Sequence, residues 1–218
     1  MTRMQGAEKD AGRHIFLNPD LNIIFAVTLL AVLGVSSVAP VFPTVAQELQ
    51  VRTEAVGLLI TVFTMPGIIL TPIFGILADR FGRKQVLVPA LLLFSLAGAS
   101  CSLARDFEIL LLLRFFQGVG AASLGSLNAT LIGDLFKGPQ RTEAMGYNAS
   151  VLSIGTAVYP SLGGALAALG WYVPFALPIV GLLVALAVLF RLESVPVEKG
   201  AGLGSYLKEA LAGMKNRK

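Results

Sequence analysis

Six stretches of this 218-residue chain are predominantly apolar over roughly 17–25 residues, the length that carries a helix across a bilayer core. They run over Leu21–Phe42, Val56–Ala78, Val86–Ala104, Ile109–Ile132, Ala144–Ala168 and Tyr172–Phe190. In hydrocarbon every backbone N–H and C=O must be satisfied within its own segment, which excludes a sheet with open edges. The expected fold is therefore an all-α membrane protein, a six-transmembrane-helix bundle over residues 21–190. A cytoplasmic N-terminal segment (1–20) precedes it, and a cytoplasmic central-loop or tail segment (191–218) follows. With 55% hydrophobic and 14% charged residues, against about 45–50% and about 25% in soluble domains, no soluble domain fits in the remainder. The first stretch exceeds the roughly 7–15 residue apolar core of a secretory signal and reads as a retained span.

Basic residues orient the bundle. With the N-terminus in the cytoplasm, only Arg52 and Arg105 of the seventeen Lys and Arg fall on the outer side and only Arg114 lies inside a span. This is the bias expected of cytoplasmic loops, so both termini face the cytoplasm and the protein is expected to be multi-pass in the plasma membrane. The formal net charge of +4 then suits anionic lipid head groups and calls for no nucleic acid. In the C-terminal tail, Leu203, Leu207, Leu211 and Met214 recur at helical spacing opposite Lys208, Glu209 and Lys215. That pattern fits a surface amphipathic helix or a solvated linker. One Cys, Cys101, and one His, His14, exclude a disulfide framework and a Cys-rich metal site within the chain, so no metal, cofactor or enzymatic activity is expected.

Between the second and third spans, "GILADRFGRKQVL" concentrates Asp79, Arg80, Arg83 and Lys84 in one connection. Topology alone accounts for the basic residues. Gly75, one turn before Asp79, offers a site of close helix approach, and Gly82 permits a tight reversal. Asp79, at a helix C-terminus, is disfavoured by the macrodipole and requires a compensating partner. The run Gly75-x-Leu77-Ala78-Asp79-Arg80-x-Gly82-Arg83-Lys84 resembles the loop signature of the major facilitator superfamily. The stretch "RFFQGVGAASLGSLNATLIGD" is similar to that family's fourth span, with Arg114, Gln117, Gly118, Gly120 and Asp134 in the expected places. "GTAVYPSLGG" resembles the fifth-span motif of its drug/proton antiporters through Gly155, Pro160, Gly163 and Gly164, with Tyr159 where the pattern has its second glycine. The resemblance covers Leu21 to Phe190. It implies the N-terminal six-helix half of a transporter, closest to the drug/proton antiporter branch. It also implies that the loop around Asp79 and Arg83 is a conformational switch and not a ligand site.

Arg114 is the one charge well inside a span, where insertion scales put the cost of Arg at about 2.5–3.5 kcal/mol or more. It lies roughly 10 Å, at about 1.5 Å per residue, from the outer helix end and could snorkel. Gln117, Gly118, Ala121, Gly125 and Asn128 continue from it down one helix face. This stripe is expected to line a cavity, with Arg114, Gln117 and Asn128 meeting a proton relay or a polar part of the substrate, and to face lipid if the bundle stood alone. On the fifth span, Gly155, Tyr159 and Gly163 form one row and Thr156, Pro160 and Gly164 another, a spacing that favours close helix packing. Pro160 is expected to kink the helix. No Asp, Glu or His lies within a span, so proton coupling is implied by the resemblance alone.

Secondary active transport of small molecules follows as the expected function, proton-coupled multidrug efflux fitting best. A metabolite facilitator or importer for a sugar or organic acid is the alternative within transport. A non-transporting half-size membrane partner or regulatory protein is the alternative outside it. Expected partners are membrane lipid, a small-molecule substrate, protons, and a second six-helix bundle supplied by the rest of the chain or by another subunit.

Overall fold

The computed structural model describes residues 18–192; the amphipathic tail pattern and His14 lie outside the described residues. Within them six helical segments are long and apolar enough to span a membrane: α1 (Pro19–Glu48), α2 (Thr53–Phe81), α3 (Arg83–Cys101), α4 (Phe107–Leu135), α5 (Pro139–Ala167) and α6 (Val173–Arg191). The all-α membrane bundle anticipated from the apolar stretches is the observed architecture.

Short polar signals set the helix boundaries. Asn18 caps α1, its Oδ1 accepting from the backbone N–H of Asp20 at 2.9 Å and of Leu21 at 3.4 Å, while Pro19 occupies the first helical position. Asp106 caps α4 in the same way, accepting from Glu108 at 2.8 Å and Ile109 at 3.1 Å. Between α2 and α3 the chain reverses at the single residue Gly82, with φ 103° and ψ 143°, a conformation that a side chain disfavours. The helices therefore extend beyond the apolar stretches: α2 runs to Phe81 and includes Asp79, and α3 starts at Arg83.

Two spans are interrupted where proline removes a donor. In α1 a 3₁₀ turn at Ala39–Val41 separates Pro19–Ser36 from Phe42–Glu48, and in α6 the turn Leu177–Val180 separates Val173–Ala176 from Gly181–Arg191. Helix α5 instead continues unbroken through Pro160.

Helix α4 packs against both α2 and α3, α1 packs against α4 and α5, and α6 closes against α3 and α1. Two apolar cores result. The one toward Gly82 contains Leu21, Ile24, Leu91, Phe94, Leu127 and Val188, and the one at the opposite end contains Val41, Leu59, Leu110, Trp171 and Phe175. On the outside, Ile68, Leu183 and Phe190 are among many exposed apolar side chains, as expected where lipid replaces water.

Candidate functional site

Arg114 sits where the two apolar cores meet. It is 1% exposed, between Phe63 of α2, whose ring centroid is 5.1 Å from the guanidinium carbon, and Phe175 of α6, at 5.4 Å. Such placements are favourable cation–π contacts. Its Nη1 donates to the carbonyl of Gly34 at 2.7 Å and to Oε1 of Gln117 at 2.8 Å. The Gly34 carbonyl is free to accept because the helix ends at Ser36 and the Val38 N–H donates to the Val35 carbonyl instead, at 3.3 Å. The remaining donors, on Nε and Nη2, are buried without a partner.

About four turns along α4 from Arg114, Asn128 is also buried. Its Nδ2 donates to the carbonyl of Ile24 at 3.0 Å and to the hydroxyl of Thr28 on α1. Thr28 in turn donates to Oδ1 of Asn148 on α5 at 2.6 Å. One polar chain thus crosses three helices inside an apolar interior, where few alternative partners exist.

The stripe anticipated along α4 is therefore not a lipid-facing surface of this bundle. Arg114, Gln117, Gly118 and Asn128 are enclosed by the six helices themselves, because α1 supplies carbonyl and hydroxyl acceptors and α2 and α6 supply rings; Gly125 alone of the stripe is exposed. Gly118 and Gly120 have no room for a side chain: a Cβ would strike the Phe63 carbonyl in the first case and, in the second, the backbone of Ala90 and Phe94.

At the Gly82 end, Arg83 lies between two carboxylates. Its Nη1 pairs with Oδ1 of Asp79, one turn earlier, and its Nε donates to Oδ2 of Asp134 on α4 at 3.0 Å. Asp79 thus has the compensating cation that its place at a helix C-terminus demands. Lys84 donates to the carbonyl of Leu192 at 3.1 Å, tying the start of α3 to the end of α6. Arg80 turns its guanidinium toward the Phe81 ring, at 5.5 Å. Nothing among the described residues lies within 4 Å of a Cβ placed at Gly75.

On α5 the two small-residue rows separate. Gly155 and Gly163 face α1, the first against the Leu29 side chain and the second so close to the Ser37 carbonyl that a Cβ would overlap it. Tyr159 lies half-buried beside Gly155, Pro160 is half-buried, and Thr156 and Gly164 are exposed. No group of three or more His, Cys, Asp or Glu able to hold a metal exists among the described residues.

Thr28, Asn148, Phe63 and Phe175 escaped sequence reasoning. Thr28 and Asn148 carry a usable signal, being polar residues inside apolar spans, while the two phenylalanines are indistinguishable in sequence from the other rings of the bundle.

Residues 24–213 match the sequence profile of the Major Facilitator Superfamily. The chain is 38% identical over 157 residues to the bacillibactin exporter of Bacillus subtilis, covering 69% of this chain and 39% of that protein. It is 34% identical over 158 residues to multidrug resistance protein 1 of the same organism, covering 72% and 41%. To the quinolone resistance protein NorA of Staphylococcus aureus it is 28% identical over 159 residues, covering 73% and 41%. The fold superposes on the human organic anion transporter MFSD10 with a TM-score of 0.71 at 19% identity, covering 85% of this chain and 51% of that one. The xylose transporter XylE from E. coli gives 0.67 at 15%, covering 90% and 56%. The chain spans 39% to 41% of the length of these curated relatives.

Proposed function

The chain belongs to the Major Facilitator Superfamily, and from that premise we propose that it forms one six-helix half of a secondary transporter that exports lipophilic or cationic small molecules in exchange for protons. A second six-helix bundle completes it, the whole sits in the plasma membrane, and both termini are cytoplasmic. The observation that carries this reading is the clasp of Arg83 between Asp79 and Asp134. It adds exchangeable ion pairs to the apolar packing of α2, α3 and α4 at one membrane boundary. Such pairs can exchange partners at modest cost, because partly exposed pairs contribute little net stability. Similarity to a bacillibactin exporter and to a multidrug resistance protein supports the direction and breadth of transport.

Within this reading the switch loop comprises Gly75, Asp79, Arg80, Gly82, Arg83 and Lys84. The rows containing Gly155, Tyr159, Pro160, Gly163 and Gly164 seal α5 against α1 and against the second bundle. Arg114, Gln117 and Asn128 form the polar core of the pathway, uncovered when the bundle rocks. The carboxylates of the described residues lie at or near span ends, so the proton is carried by span-end acids such as Asp79 and Asp134 or by an acid of the second bundle.

Flux in everted membrane vesicles tests the proposal. Uptake of a fluorescent lipophilic cation should follow an imposed pH gradient, collapse when the gradient is dissipated, and fall to background in Arg83→Ala. Uptake that ignores the gradient would exclude proton coupling and favour a facilitator. Unchanged flux in Arg114→Ala would remove that residue from the pathway.

A further inference from the structure

The donors on Arg114 are divided in a way that its packing does not require. Nη1 spends both of its hydrogens on Gly34 and Gln117. Nε and Nη2, whose N–H groups lie parallel along one edge of the guanidinium, have no partner although the residue is 1% exposed. That edge is the lateral fork, the arrangement that accepts the two oxygens of a carboxylate side by side. The positive charge is equally unanswered: Arg114 makes no ion pair within 4.0 Å among the described residues, whose Asp and Glu lie at or near span ends. Two aromatic faces and two neutral acceptors do not replace a counter-charge in an apolar interior. A water molecule could accept from these donors but would leave the charge.

We propose that the Nε/Nη2 edge of Arg114 is a binding subsite for the carboxylate of a small organic anion, held bidentately between α2, α4 and α6. The inference rests on the reading of the chain as part of a transporter, whose substrate range it extends: molecules bearing a carboxylate, alone or beside a cationic group, join the lipophilic cations. Phe63 and Phe175 flank the guanidinium and screen it. Phe175 is carried on the four-residue helix Val173–Ala176, next to the break at Leu177–Val180. Arg is suited to this task and Lys is not, since an ammonium offers a point charge without the planar fork.

Trp171, the sole tryptophan of the chain, reports on the subsite. Its ring meets Phe175 edge-on at 6.1 Å, one ring removed from Arg114. The 218-residue chain in lipid nanodiscs is titrated with cyclohexanecarboxylate, which does not absorb where tryptophan is excited, and separately with the neutral cyclohexanecarboxamide and with chloride. The carboxylate should shift Trp171 emission saturably, with neither control doing so. Arg114→Gln should weaken the response by about ten- to a hundredfold, the effect of a lost charge-assisted hydrogen bond. Arg114→Lys should weaken it less, with melting temperature monitored in both. Carbon-13 NMR of the labelled carboxylate on the wild-type protein gives a reading independent of any variant, and a bound resonance should appear.

No response, no bound resonance, or an equal response to the carboxamide would each overturn the proposal. Saturation by chloride at the same concentration would overturn the carboxylate fork in favour of an unselective anion. Because binding is measured without a gradient, carboxylate binding together with absent flux would count against the transport reading and leave the subsite standing.

Discussion

A methyl group added at Gly118 would land on the carbonyl of Phe63, and one added at Gly163 on the carbonyl of Ser37. Neither obstacle is the end of a flexible side chain, so the helices themselves must part. Overpacking of this kind costs about 1–3 kcal/mol, offset by less than about 1 kcal/mol of helix propensity. Gly118→Ala and Gly163→Ala are therefore expected to destabilise the bundle by about 1–2 kcal/mol in reversible unfolding in mixed micelles. Gly125→Ala, where nothing lies within 4 Å, should leave stability unchanged or slightly raised; equal losses at all three positions would refute the close-approach argument. A second residue-scale test concerns Arg83. Its side chain is 18% exposed, while Asp79 and Asp134 are 48% and 29% exposed, so solvent screens both pairs and Asp134→Asn should cost no more than about 1 kcal/mol. If the clasp is the proposed switch, its effect on flux in the complete transporter should be much larger. A loss of stability without a loss of flux would make it a mere structural tie.

Among whole elements, α1, α4 and α5 are connected through polar groups of the interior, Thr28, Asn128 and Asn148. Thr28→Val keeps the side-chain shape and removes the hydroxyl that both accepts from Asn128 and donates to Asn148. Interhelical hydrogen bonds in membranes average about 0.6 kcal/mol and reach about 1.7, so two lost together predict a destabilisation of about 1–2 kcal/mol. A double-mutant cycle with Asn148→Ala should show coupling between the two sites; additive effects would mean the chain is not continuous. The spans themselves were legible from apolar length, because the bilayer admits few other structures, and the loop of Asp79, Arg83 and Lys84 from its charge density. The breaks at Ala39–Val41 and Leu177–Val180 were not legible, since Pro160 sits unbroken within α5 and proline alone does not distinguish the cases. Arg114 was visible as an anomaly of charge, but its surroundings were not: Gly34 offers a backbone carbonyl, which any residue has. Phe63 and Phe175 become partners only through the way α2 and α6 meet α4.

Across the whole molecule, cover is uneven. In an 18-residue apolar stretch of α1, 61% is buried inside the bundle, against 22% for that of α2 and 11% for that of α5. Helices α2 and α5 thus present most of their surface to whatever surrounds the six helices. Lipid can cover apolar side chains such as Ile68, Met65 and Ile154, but it has no use for a bare helix backbone, and Gly75 on α2 is bare with nothing within 4 Å. A glycine at such a place allows another helix to approach closely, which is what the proposed second bundle would require beside the switch loop. Gly75→Leu separates the two possibilities. The side chain has open space in this bundle, so unfolding of the 218-residue chain should change by less than about 1 kcal/mol, within the range of helix propensity differences. If a second bundle packs there, the same substitution should prevent its close approach and abolish flux in the complete transporter, with Gly75→Ala intermediate. Full flux with leucine at this position would mean that α2 faces lipid at Gly75, and that the two bundles meet along α5 instead.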